Sequence, residues 1–154
     1  MLIPLDYKEL LSALNKHRVR YLIIGAYAVI YYTEPRYTKD LDIWVEPEVK
    51  NAQRVYAALK EFGAPLKDVR EEDFLKKTMV YQIGIAPVRV DILMGVSGIE
   101  FQQAWEHRRA AKLNNVKVNI MGIGELLKAK QSVRRKADIL DLENLKLCIK
   151  FKKE

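Results

Sequence analysis

The stretch Asp40-Leu41-Asp42-Ile43-Trp44-Val45 decides how the rest of the chain is read. Polar or aromatic residues alternate with aliphatic ones, and successive side chains on a strand point to opposite faces, so a strand is predicted over 41–45 with Asp40 at its entrance. Leu41, Ile43 and Val45 then face a core, while Asp40, Asp42 and Trp44 face the other way. Two carboxylates about 4 Å apart repel by roughly 4 kcal/mol at an effective dielectric of ~20, and far less in open water. Beside an apolar strand such a pair calls for a proton, a basic partner or a divalent cation.

A later segment repeats the arrangement. In Val88-Arg89-Val90-Asp91-Ile92-Leu93 the residues Val88, Val90 and Ile92 form the core face, and Arg89 and Asp91 share the opposite one. If this strand neighbours the first, Asp91 completes a cluster of three carboxylates, and these, with water and phosphate oxygens, suit the octahedral shell of magnesium. On acidic spacing alone the plainer reading stands first: Asp40 and Asp42 are exposed strand-end carboxylates, and Asp91 pairs with Arg89. Gly25 shifts that balance. It follows Tyr21-Leu22-Ile23-Ile24, a solidly apolar run that reads as a buried strand, and precedes a helix over 26–32 that ends before Pro35. At such a corner the N–H groups of the helix start can face a phosphate, and a side chain would block close approach.

Working outward, a first helix is expected from Asp6, with Glu9 placed for a capping box and Leu10, Leu11 and Leu14 as its apolar stripe. Pro47 suits the first turn of a helix that buries Val49, Ala52, Tyr56 and Leu59 and stops at Gly63. A short helix over 71–77, strands over 79–83 and 88–93, a helix over 101–108 and a strand over 116–120 entered by Asn114-Asn115 follow. Two helices over 124–149 turn Ile139, Leu142, Leu145 and Ile149 inward. Strands interspersed with helices give an α/β (α+β) fold, a mixed sheet flanked by helices with a C-terminal helical segment. One domain over 1–154 is expected, its core over 19–121 and its C-terminal helices over 122–151.

Composition bounds the chemistry. The 154 residues carry 27 Lys and Arg against 20 Asp and Glu, a net charge of +7 that suits a polyanionic partner or simply a solvated surface. The longest run without a charge, Tyr21 to Thr33, is 13 residues, short of the ~20 that span a membrane. The first residues lack the basic start and apolar stretch of a signal peptide. Cys148 is the one cysteine, which fits a reducing, cytoplasmic setting. His17 and His107 read as surface residues, and with no Cys pair and these two His far apart a structural zinc site is excluded, so any metal would be held by oxygen.

Taken together, Ile24-Gly25-Ala26-Tyr27-Ala28, Pro35-Arg36-Tyr37-Thr38-Lys39-Asp40-Leu41-Asp42 and Val90-Asp91-Ile92-Leu93 resemble the DNA polymerase beta-type nucleotidyltransferase superfamily. The resemblance is closest to its minimal, standalone members related to abortive-infection and toxin–antitoxin nucleotidyltransferases. Ser97-Gly98-Ile99-Glu100-Phe101, Leu126-Leu127-Lys128-Ala129-Lys130 and Arg135-Lys136-Ala137-Asp138-Ile139-Leu140-Asp141-Leu142 extend it over most of residues 21–145. Where those relatives carry Gly-Ser or Gly-Gly, this chain has Gly25-Ala26, so backbone N–H groups must do the work of the missing hydroxyl.

The resemblance implies transfer of a nucleoside monophosphate from a nucleoside triphosphate such as ATP to an acceptor hydroxyl. Asp40, Asp42 and Asp91 would be the catalytic acids and the ligands of two Mg2+ ions about 3.5–4 Å apart. Gly25 and Ala26 would cradle the triphosphate. Arg36 and Thr38 would touch phosphate or brace their loop, and Lys130 and Arg135 would reach triphosphate oxygens, with Asp138 or Asp141 orienting them. Trp44 and Tyr27 read as base-stacking rings or as core packing. The acceptor implied is a tRNA 3′ end or a hydroxyl on a cognate toxin or antitoxin protein, with no membrane partner. A module of the same fold that binds nucleotide or RNA without turnover is the alternative.

Overall fold

A computed structural model describes residues 4–33, 38, 40–84, 88–131 and 145–146. Each apolar run marked as a strand lies in one six-stranded mixed sheet, in which the strand over 40–45 stands between those over 21–24 and 89–93. The elements are α1 (Leu5–Lys16), β1 (Tyr21–Ile24), α2 (Gly25–Tyr32), β2 (Asp40–Val45), α3 (Val49–Phe62), a 3-10 turn (Glu71–Leu75), β3 (Val80–Ile83), β4 (Arg89–Leu93), α4 (Phe101–Glu106), β5 (Arg109–Leu113), β6 (Val116–Ile120) and α5 (Ile123–Gln131). β2 runs antiparallel to β1 and parallel to β4. β1 runs parallel to β6, and the hairpins β3–β4 and β5–β6 close the two edges. Among the described residues no helix is long and apolar enough to cross a membrane.

One face of the central strands is wholly apolar. Tyr21, Ile23, Leu41, Ile43, Val45, Val90 and Ile92 are all buried there. Burying a residue of this size contributes roughly 1.5–3 kcal/mol each, which makes this face the main reason the sheet forms. α1 and α3 pack on each other, and α2 packs on β1 and β2. Asn51, 1% exposed, ties α3 to the sheet: its side chain accepts from the Arg20 N–H and donates to the carbonyls of Arg20 and Glu46. It thereby clamps the residue before β1 to the residue after β2.

Several local expectations are corrected. α1 begins on the carbonyl of Pro4, which accepts from the Tyr7 and Lys8 N–H groups, and no side chain caps it, so Asp6 sits inside the first turn. Tyr7 joins Leu10, Leu11 and Leu14 on the buried stripe. α3 is capped by the Glu48 carboxylate, which accepts from the N–H groups of Lys50 and Asn51; Pro47 precedes that cap. Its inner face is therefore Asn51, Ala52, Val55, Ala58 and Leu59, and Val49 is 58% exposed. Gly63 ends the helix as expected, left-handed at φ 93°. The strand β5 went unread by alternation. It is an edge strand joined to β6 by Asn114 and Asn115, both left-handed (φ 50° and 68°), as a two-residue hairpin turn requires. Leu145 is buried, whereas Ile139, Leu142 and Ile149 lie outside the described residues.

Candidate active site

The register of the sheet settles where the acids stand. In the parallel pair β2–β4, Asp42 is opposite Asp91 and Asp40 is opposite Arg89. Neighbouring strands lie about 4.8 Å apart, and residues two apart share a face. Asp40, Asp42, Asp91 and Arg89 therefore share the face opposite the apolar one. On the other side of β2, Asp42 is opposite Ile24, the last residue before the glycine corner.

Gly25 adopts φ +67°, and a Cβ there would overlap the Asp42 carboxylate, whose Cγ would be only 3.1 Å away. The glycine is thus required twice, by its left-handed backbone and by the acid pressed against it. A side chain at this corner would therefore meet Asp42 first. Ala26 follows in the first turn of α2, partly exposed.

Arg89 organises the face. Its Nε donates to Asp91 Oδ1 at 3.0 Å and its Nη2 to Asp91 Oδ2 at 2.8 Å, a bidentate pair, and the Nε lies 3.7 Å from Asp40 Oδ1. The hydrogen bond to Asp91 and that residue's charge, aided by Asp40 and Asp42, hold the guanidinium's proton still more firmly than usual. Both readings of these residues hold together: the three acids share one face, and Asp91 pairs with Arg89. The Asp91 side chain is 12% exposed, Arg89 36% and Asp40 37%, so the cluster opens to solvent on the Asp40 side.

Tyr7 supports this arrangement from below. Its hydroxyl donates to the Arg89 carbonyl at 2.9 Å, and its ring meets Tyr27 edge-on at 5.7 Å. Burial, then the neighbouring Tyr27 and the charges of Asp40 and Asp42, push its phenol up to about 12. Sequence reasoning missed Tyr7, although its place three residues before Leu10 on the α1 stripe marks it as inward.

The remaining candidates divide. The Thr38 hydroxyl donates to the Asp40 carbonyl at 3.4 Å, a brace for the entrance of β2. Trp44 and Tyr27 are core residues and not free stacking platforms. Trp44 is 2% exposed and meets Phe101 edge-on at 5.1 Å, and its indole N–H has no hydrogen-bond partner among the described residues. A cavity of about 270 Å³ opens past Trp44, lined by Pro47, Lys77, Met94 and Phe101 among others, and none of the three acids borders it. Of the two histidines, His107 is exposed but its Nδ1 stands 2.7 Å from the buried Glu125 carboxylate. Arg36, Arg135, Asp138 and Asp141 lie outside the described residues, as does the side chain of Lys130.

The donor set suits a hard divalent cation: carboxylate oxygens, three of them sharing a face on adjacent strands. Among the described residues, though, no three such side chains already stand close enough together to hold a metal ion. Arg89 engages both oxygens of Asp91.

No protein-family model and no curated protein sequence matches this chain. Its three-dimensional likenesses are nevertheless clear, and they show that the chain has the nucleotidyltransferase fold. The lincosamide antibiotic adenylyltransferase LnuA, solved with lincomycin bound, superposes with a TM-score of 0.62 at 15% identity, covering 94% of this chain and 97% of LnuA. A nucleotidyltransferase-type protein from Thermotoga maritima gives 0.59 at 15% identity, covering 99% and 94%. The antibiotic-resistance factor ANT(2'')-Ia gives 0.62 at 11% identity, covering 96% and 90%. At such identities the likeness is one of fold.

Proposed function

We propose that this chain is a magnesium-dependent nucleotidyltransferase that moves a nucleoside monophosphate from a nucleoside triphosphate to an acceptor hydroxyl. The observation that supports it most is the pairing of Asp42 with Asp91 beside Asp40 and the Gly25 corner, on a nucleotidyltransferase fold. Asp40, Asp42 and Asp91 would hold the metal. Magnesium, when bound, neutralises triphosphate charge and makes the attacking hydroxyl a stronger acid. Asp91, the least exposed of its neighbours, would take the hydroxyl proton as the acceptor oxygen bonds to the α-phosphorus and the bond to pyrophosphate breaks in line. The N–H groups of Gly25 and Ala26 would face the triphosphate at the start of α2. Arg36, Lys130 and Arg135 would lie along its oxygens, and Thr38 would keep the acids in place from behind.

For the acceptor, the net charge of +7 supports a tRNA 3′ end, and a hydroxyl on a cognate toxin or antitoxin protein is the second choice. A small molecule would ordinarily call for an added binding domain. That argument has little force here, because LnuA acts on a lincosamide and 97% of it is covered by this chain.

Incubation with each of the four α-labelled triphosphates, magnesium, and either total RNA, cell lysate or a lincosamide panel separates these acceptors. Label in one fraction that disappears in Asp42→Ala supports transfer and names the acceptor class. A second reading, a module of this fold that binds without turnover, draws on two observations: Asp91 is engaged by Arg89, and Gly25-Ala26 carries no hydroxyl. Absence of transfer to every acceptor, together with nucleotide binding that persists, would select it.

A further inference from the structure

We propose that Arg89 is a resident counter-ion of the acid face, a positioning residue that a divalent cation must displace from Asp91 before the site is complete. The inference rests on reading Asp40, Asp42 and Asp91 as cation ligands, and adds what holds them before a cation arrives. Arg89 and Asp91 lie two apart on β4, so their side chains share a face by construction, and the guanidinium lies back along the strand to meet both carboxylate oxygens at 3.0 and 2.8 Å. The same Nε is 3.7 Å from Asp40 across the sheet. One monovalent cation thus spans acids from two strands, the span a metal ion would make. A cation bound at an Asp91 oxygen would stand within a few ångströms of the guanidinium, and like charges at that range repel strongly where water is scarce. The two are competitors.

The Arg89 side chain borders solvent. Arg89 is 36% exposed, and its link to the fold is through its backbone, where the Tyr7 hydroxyl bonds its carbonyl at 2.9 Å. The side chain can therefore leave while β4 stays where it is. The register places the acids side by side, and Arg89 ties Asp91 to the Asp40 side of that row. Arg89 also keeps Asp40 and Asp91 from repelling Asp42 while no cation is bound.

The test is a titration of metal-free protein with Mn2+, followed by the electron paramagnetic resonance signal of the free ion and without any nucleotide. Arg89→Met keeps the aliphatic stem and removes the charge, and Arg89→Lys keeps the charge but loses the two-toothed grip. The expected result is Mn2+ affinity about two- to fivefold higher in Arg89→Met than in wild type, the size of a partly exposed ion pair, with Arg89→Lys between them. Adding Asp91→Asn to Arg89→Met should abolish the gain. Thermal melts give a second readout: in chelator Arg89→Met should melt below wild type, and saturating Mn2+ should close the gap. Equal or weaker Mn2+ binding in Arg89→Met, with wild type binding well, would overturn the displacement while leaving the acids as a cation site. No Mn2+ binding by any form would overturn both.

Discussion

The two faces of the β2–β4 pair are built from alternate residues of the same two strands, yet they solve opposite problems. Leu41, Ile43, Val45, Val90 and Ile92 are sealed on one side by packing alone. Asp40, Asp42, Arg89 and Asp91 on the other carry charge that packing cannot absorb, and Arg89 offsets part of it by pairing with Asp91 and standing near Asp40. The difference teaches that fold stability and site chemistry here are separable by a shift of one residue along the chain. A substitution on one face should move one property and largely spare the other.

Asp42→Ala should show this most sharply. Losing a central acid is expected to lower transfer about a thousandfold or more, on the scale of several kcal/mol for lost charge stabilisation. Its melting temperature should stay level or rise, since one of three crowded carboxylates is gone. A melting temperature that falls as far as that of a core variant would break the comparison, because Asp42 would then be holding the fold. Ile43→Ala, one residue on, should do the reverse. Truncating a fully buried isoleucine typically removes about 2–5 kcal/mol, readable by urea unfolding, while the residual folded protein keeps its activity.

Gly25→Ala tests the seam between the two. A residue with a Cβ must adopt a left-handed backbone and push the Asp42 carboxylate aside. A loss of about 1–3 kcal/mol is expected, accompanied by loss of transfer, since the displaced group is one of the proposed ligands. Loss of stability without loss of transfer would show that Asp42 tolerates movement and would loosen the geometric account.

Much of this was legible from residue order. Period-two alternation located β2 and β4, an unbroken apolar run located β1, and Gly25 marked the corner, because each depends on local backbone rules. The adjacency of β2 and β4 was not legible. They are separated by α3, the 3-10 turn and β3, and only tertiary pairing brings Asp42 opposite Asp91. Trp44 shows the limit of alternation: its parity with Asp42 is right, but parity says nothing of Phe101, which covers it. β5 was missed because Arg109-Ala110-Ala111-Lys112-Leu113 buries only Leu113, so an edge strand held by one partner leaves no alternating trace. The inner face of α3 was misjudged because the helix starts from Glu48 and turns Asn51 inward to serve the backbone, a need that hydrophobic spacing does not record.

The central claim is that Asp40, Asp42 and Asp91 converge to hold divalent cation beside Gly25. Anomalous diffraction from crystals grown with Mn2+ and a non-hydrolysable nucleoside triphosphate tests it most directly. The account predicts a manganese peak about 2.1–2.3 Å from carboxylate oxygens of Asp42 and its neighbours, with Arg89 turned away from Asp91. Nucleotide bound elsewhere, or bound with no manganese on this face and the Arg89–Asp91 pair intact, would contradict it.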